Sequence, residues 1–99
     1  MNTEKRIELK PCHLVVSDMG FKLVDTCSML LDEICHYLVE VKGIPVNDIH
    51  INYTPQKSIQ QVCARNKPVY EIKINFDMDE GKVHIDGTIL EENFNAICN

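Results

Sequence analysis

The stretch between Phe21 and Pro45 constrains this chain more than any other. Leu23, Cys27, Leu30, Leu31, Ile34, Leu38 and Val41 recur at intervals of three and four residues. That spacing winds them onto one stripe of an α-helix, with Asp25, Ser28, Asp32, His36 and Glu40 on the far side. Ser17 or Asp18 offers a side-chain cap at the start. The stop is Gly43-Ile44-Pro45: glycine takes the left-handed position, isoleucine folds back on the last turn, and proline forbids continuation. The spacing predicts a helix over residues 19–42, roughly 36 Å long. A helix with one apolar stripe needs an apolar surface to lie on, and the rest of the chain must supply it.

The rest of the chain reads as strands. Residues 5–16 alternate, with Ile7 and Leu9 on one face. After Pro11 the apolar set shifts by one, to Cys12, Leu14 and Val16. Such a shift at a proline suggests a bulge, and proline favours an edge strand. Beyond the helix, Ile49, Ile51 and Tyr53 alternate with Asp48, His50 and Asn52. Tyr70, Ile72, Ile74 and Phe76 alternate with Glu71, Lys73 and Asn75. Val83, Ile85 and Ile89 alternate with Lys82, His84, Asp86 and Thr88. A period of two means one dry and one wet sheet face. Residues 58–64 fit a strand better than a helix, because Arg65-Asn66-Lys67-Pro68 reads as a turn. Leu90, Phe94 and Ile97 repeat at i, i+4 and i+7, which predicts a short closing helix.

The expected fold is therefore a single α+β domain over residues 1–99. It has an N-terminal strand, one long helix, an antiparallel meander of three or four strands packed on that helix, and a short C-terminal helix. The order resembles that of the cystatins. The segment QQVCARNKPVYEIKINF is similar to the one in which cystatins carry a Gln-x-Val-x-Gly hairpin. The glycine of that motif is absent here, so the resemblance implies topology and carries over no inhibitory residue.

Composition narrows the function. The net charge of −5 argues against a nucleic-acid backbone as partner, and six per cent aromatics without tryptophan argue against base stacking. The charged start MNTEKRIELK is unlike a secretory leader, and apolar runs are broken by charge, so neither export nor a membrane span is expected. Five cysteines, an odd number, fit reduced thiols in a cytoplasmic protein.

The charge is unevenly distributed. Residues 1–76 hold nine acids and nine bases, whereas residues 77–92 hold Asp77, Asp79, Glu80, Asp86, Glu91 and Glu92 against Lys82. Asn75, Asp77, Asp79 and Asp86 do fall at positions 1, 3, 5 and 12 of an EF-hand frame. However, Glu80 stands where the tight turn needs glycine, and both flanks read as strands. A β-hairpin turning at Asp77–Gly81 accounts for the stretch structurally, with its acids in water. Its field would also attract a basic protein and speed association.

Other chemistry is weakly signalled. Cys12-His13 and Cys35-His36 are adjacent pairs without zinc-ligand spacing, and neighbours on a strand point to opposite faces. Cys27 and Cys35 lie toward the apolar side of the helix, where a thiolate is disfavoured. Cys63 and Cys98 are the more accessible thiols by pattern. His50 and His84 project from the wet sheet face and are the candidates for acid–base or small-ligand work if their strands neighbour. No metal or cofactor is expected.

The sequence reading is thus a non-catalytic, protein-binding neutraliser of the immunity-protein, antitoxin or phage-inhibitor type. It would capture a basic partner through Asp77, Asp79, Glu80, Asp86, Glu91 and Glu92. A ligand-binding protein or enzyme using His50 and His84 is the alternative. A homodimer paired through an exposed strand edge is a third reading.

Overall fold

A computed structural model describes residues 10–17 and 20–98, the last by its backbone. Strand β1 (Cys12–Val16) leads into helix α1 (Phe21–Glu40). Then come β2 (Ile49–Thr54), β3 (Ile59–Ala64), β4 (Lys67–Asp77), β5 (Lys82–Ile89) and helix α2 (Glu91–Cys98). The strands form one antiparallel sheet in the order β1-β5-β4-β3-β2. This is the α+β layout expected, with residues 59–64 of the 58–64 stretch a strand and Ser58 in the turn before it. The first strand sits beside the last, so α1 carries the chain across the sheet to its opposite edge. Residues 5–9 of the anticipated first strand lie outside the described residues.

Helix α1 buries Cys27, Leu30, Ile34, Tyr37 and Leu38. Val41, assigned to the apolar stripe by spacing, is half-exposed, because regular helix ends one residue before it. The N-cap is Gly20, without a side-chain cap bond, in place of Ser17; Asp18 lies outside the described residues. The end is as expected: Gly43 has φ +69°, and Ile44 N–H donates to Leu38 C=O at 3.0 Å. Ile44 is thereby driven into the core at 2% exposure.

The core lies between α1 and one sheet face, around Leu38, Val62, Tyr70, Ile72, Val83 and Ile85. Full burial of each such aliphatic side chain contributes roughly 1.5–3 kcal/mol. Arg65 and Asn66, with φ of 51° and 69°, make the two-residue hairpin turn between β3 and β4. Pro68 lies just inside β4, next to a register shift that places Val62 opposite Tyr70 and Cys63 opposite Pro68. The extra residue, Val69, is fully buried. A bulge is one of the few places in a sheet interior where proline is tolerated. Helix α2 closes this end: Phe94 stacks on Tyr37 with centroids 6.3 Å apart, and Asn93 donates to Pro68 C=O at 2.9 Å.

Five strands at about 4.8 Å spacing span about 19 Å, whereas one helix is only about 10 Å across. The β2 flank is left largely uncovered. Ile51 and Tyr53, expected on the dry face, are 47% and 60% exposed.

Candidate functional site

The acidic residues are the first sequence candidates. Asp77 ends β4, and the turn to β5 passes through Met78, Asp79, Glu80 and Gly81. Asp77 Oδ1 accepts the Glu80 N–H at 3.2 Å, and Gly81 has φ +64°. These two features shape the tip as a hairpin turn, and strands flank it on both sides as the pattern implied. Lys82 pairs with Asp77 in register, and its ammonium lies 3.5 Å from Glu80. The tip therefore keeps a net negative charge from three acids against one lysine.

The other three acids are elsewhere. Asp86 lies four residues into β5 on the outer face of the sheet, opposite His13 on β1 and Lys73 on β4. Its carboxylate binds His13 Nδ1, so it is not turned toward Asp77 and Asp79 as a calcium loop would require. Glu91 and Glu92 occupy the first turn of α2. Along β5 this is about 24 Å from the tip at strand rise, at the opposite end of that strand. There they complement the helix dipole. The structure thus divides the acidic segment among the hairpin tip, the sheet face and the far end.

Apolar side chains accompany the tip. Phe76 and Met78, which bracket Asp77, are 50% and 75% exposed. Phe76 also borders a cleft of about 270 Å³ between α1 and the sheet, lined by Leu23, Val24, Leu31, Tyr53, Gln60 and Ile74 among others. Gln60 is out of keeping with that apolar wall. It sits opposite Ile72, and its Oε1 is buried without a hydrogen-bond partner among the described residues.

His50 and His84 do not share a site. Their strands are separated by β3 and β4, so about 14 Å of sheet lies between them. His50 instead borders an open groove of about 530 Å³ between α1 and β2, with Cys35, His36, Val39, Val46 and Ile51. His84 has a different companion. His13 Nε2 lies 3.5 Å from His84 Nδ1, and the ring centroids are 5.4 Å apart. Asn75 Nδ2 contacts Asp86 Oδ2 at 3.5 Å. The hydrogen bond from His13 holds the Asp86 carboxyl below the usual carboxylate range; desolvation opposes it, and the charge of His13, the Asn75 hydrogen bond and the charge of His84 lower it further.

Sequence reasoning missed His13 as a member of this cluster. Its outward direction was legible, because Cys12, Leu14 and Val16 point inward. Its proximity to His84 was not, since that depends on β1 joining β5.

The thiols fit structural roles. Cys12, Cys27, Cys35 and Cys63 are free. Burial pushes the Cys27, Cys35 and Cys63 thiols up, against thiolate chemistry. Cys63, expected to be accessible, is 1% exposed. Its Sγ sits under the Asn52 amide, 3.4 Å from Nδ2. The side chain of Cys98 lies outside the described residues. No helix among the described residues is long and apolar enough to cross a membrane.

Comparison with protein-family models, with curated proteins and with solved structures found no match to this chain.

Proposed function

We propose that this protein is a non-catalytic binding module that captures a basic protein at its β4–β5 hairpin end, in the manner of an immunity protein, an antitoxin or a phage-type inhibitor. The observation that carries the reading is the composition of the tip. Asp77, Asp79 and Glu80 alternate with two exposed apolar residues, Phe76 and Met78, beside an apolar cleft. Solubility alone explains exposed carboxylates, but it does not explain a phenylalanine and a methionine held among them. Apolar anchors within a charged rim are the usual anatomy of a recognition surface. The carboxylates would steer a basic partner to the tip, and Phe76 and Met78 would hold it there. Asp86, Glu91 and Glu92 contribute to the long-range field and not to the contact. Free thiols at four described cysteines agree with a reducing, cytoplasmic setting.

The test is affinity capture from the native host extract at low and high salt, with four proteins compared. These are wild type, the Asp77/Asp79/Glu80 triple alanine variant, Phe76→Ala/Met78→Ala, and Glu91→Ala/Glu92→Ala. The expected result is a basic protein retained by wild type at low salt and by the Glu91/Glu92 variant, but lost from the other two variants. At 1 M salt the screening length falls to about 3 Å, and retention should drop sharply. Equal recovery by all four proteins at both salt levels refutes capture at the tip.

A second reading rests on a different surface. Strand β2 is an edge without lysine or proline, and it presents Ile51 and Tyr53 to solvent. Such an edge is suited to pairing with a second copy of itself.

A further inference from the structure

The His13–His84 pair has a geometry that neither the hairpin nor the edge requires. We infer that His13 and His84 form an exchangeable binding site for a borderline transition-metal ion such as Zn²⁺ or Cu²⁺, with Asp86 orienting His13 from behind.

The placement follows from register. In the antiparallel β1–β5 pair, His13 faces Asp86 and Val15 faces His84. All four side chains therefore share the outer face, while Cys12, Leu14, Ile85 and Gly87 take the inner one. His13 and His84 are diagonal neighbours, a separation that long side chains can bridge. Two ring nitrogens from two strands then come within 3.5 Å of one another.

The two rings are close enough to share one ion. Two imidazoles bound to one tetrahedral ion, with bonds of about 2.05 Å, would have nitrogens about 3.4 Å apart and centres about 5.2 Å apart. The observed 3.5 Å and 5.4 Å lie within a few tenths of an ångström of those separations.

The other nitrogen of His13 supports the same reading. Nδ1 is bound to the Asp86 carboxylate. In the neutral ring that partner places the proton on Nδ1 and leaves the Nε2 lone pair facing His84. A carboxylate behind a metal-bound histidine is the usual orienting arrangement. Asn75 in turn holds the second carboxylate oxygen at 3.5 Å.

Imidazole ligands select Zn²⁺, Cu²⁺, Ni²⁺ and Co²⁺ over Ca²⁺ and Mg²⁺, which prefer oxygen. Among the described residues no group of three or more His, Cys, Asp or Glu converges as a metal site. The remaining coordination positions thus belong to water or to an added ligand, and the ion exchanges readily. It would also tie strand β1 to β5, its neighbour in the sheet among the described residues.

The experiment is a Zn²⁺ titration of the full chain at pH 7.5, followed by the ¹⁵N resonances of the imidazole rings. Wild type should bind one equivalent, with shifts at His13 Nε2 and His84 Nδ1 and none at His36 or His50. His13→Gln and His84→Gln should each abolish those shifts. Asp86→Asn should weaken binding about tenfold or more. Both imidazoles are on the solvent face, and the same spectra show whether each variant is folded. Mg²⁺ should leave the spectra unchanged. With Co²⁺, the absence of a thiolate charge-transfer band should exclude the cysteines. Unaltered Zn²⁺ affinity in folded His84→Gln overturns the assignment, as does a Co²⁺–thiolate band at one equivalent or no shift at about 1 mM Zn²⁺.

Discussion

Gly87 shows how one residue can be set by a neighbour distant in sequence. It falls between Ile85 and Ile89 on the inner face of β5, where alternation calls for a large apolar side chain. The Tyr70 ring occupies that space. A Cβ at Gly87 would lie 2.3 Å from Tyr70 Oη and 2.8 Å from Cys12 Sγ. Tyr70 is fixed there because its hydroxyl donates to Lys10 C=O at 2.7 Å, and burial pushes its phenol up. Gly87→Ala must therefore displace the ring or the strand. Urea unfolding should show a loss of about 1–3 kcal/mol, typical of overpacking. Tyr70→Phe in the same chain should couple to it and recover part of the loss, because the closest clash is with the hydroxyl. Purely additive losses would show that the clash is relieved elsewhere. Sequence alone marks Gly87 as a gap in the apolar alternation and gives no reason for it.

At the scale of elements, α1 and β2 show how far local pattern reaches. The helix stripe and its Gly-Ile-Pro stop were legible because each depends on residues a turn or two apart. The burial of β2 was not legible. Its alternation is as regular as that of β4, yet Ile51 and Tyr53 stand half-exposed because β2 is the outermost strand and α1 covers it only in part. This exposure gives the self-pairing reading a direct check. Sedimentation equilibrium should show a concentration-dependent species of two 11.4 kDa chains. Ile51→Lys should hold the protein monomeric at all concentrations, since an inserted charge blocks edge pairing. A wild type that stays monomeric at millimolar concentration refutes pairing through β2.

Across the whole molecule, the first strand of the chain lies beside the last in the sheet, and Asp86 links them through His13. Its carboxyl is held below the ordinary value, so the folded state binds that proton less readily than the unfolded chain does. The resulting stability is present above the unfolded carboxylate value of about 3.9, and it is lost as pH falls through the lower folded value. His13, His84 and Lys73 are the cationic or titratable groups facing Asp86 from β1, β5 and β4. Urea midpoints measured from pH 6 down to pH 2.5 should fall less steeply for Asp86→Asn than for wild type. Parallel profiles would mean that the His13–Asp86 link does not contribute. The course of β5 accounts for the acidic segment. Sequence shows six acids within sixteen residues, but an extended β5 carries Glu91 and Glu92 away from the hairpin tip and turns Asp86 onto a third surface.

The sequence by itself determined the elements: a long helix with a sharp stop, strands with one dry face, a hairpin at Gly81 and a closing helix. Those features rest on periodicity and turn chemistry within a few residues. The tertiary structure alone decided which strands are neighbours, and with that the meeting of His13, His84 and Asp86, the separation of His50 from His84, and the exposure of β2. The physical reason is that a strand alternates in the same way whichever partner it takes. The choice of partner is made by long-range register and by how much of the sheet one helix can cover.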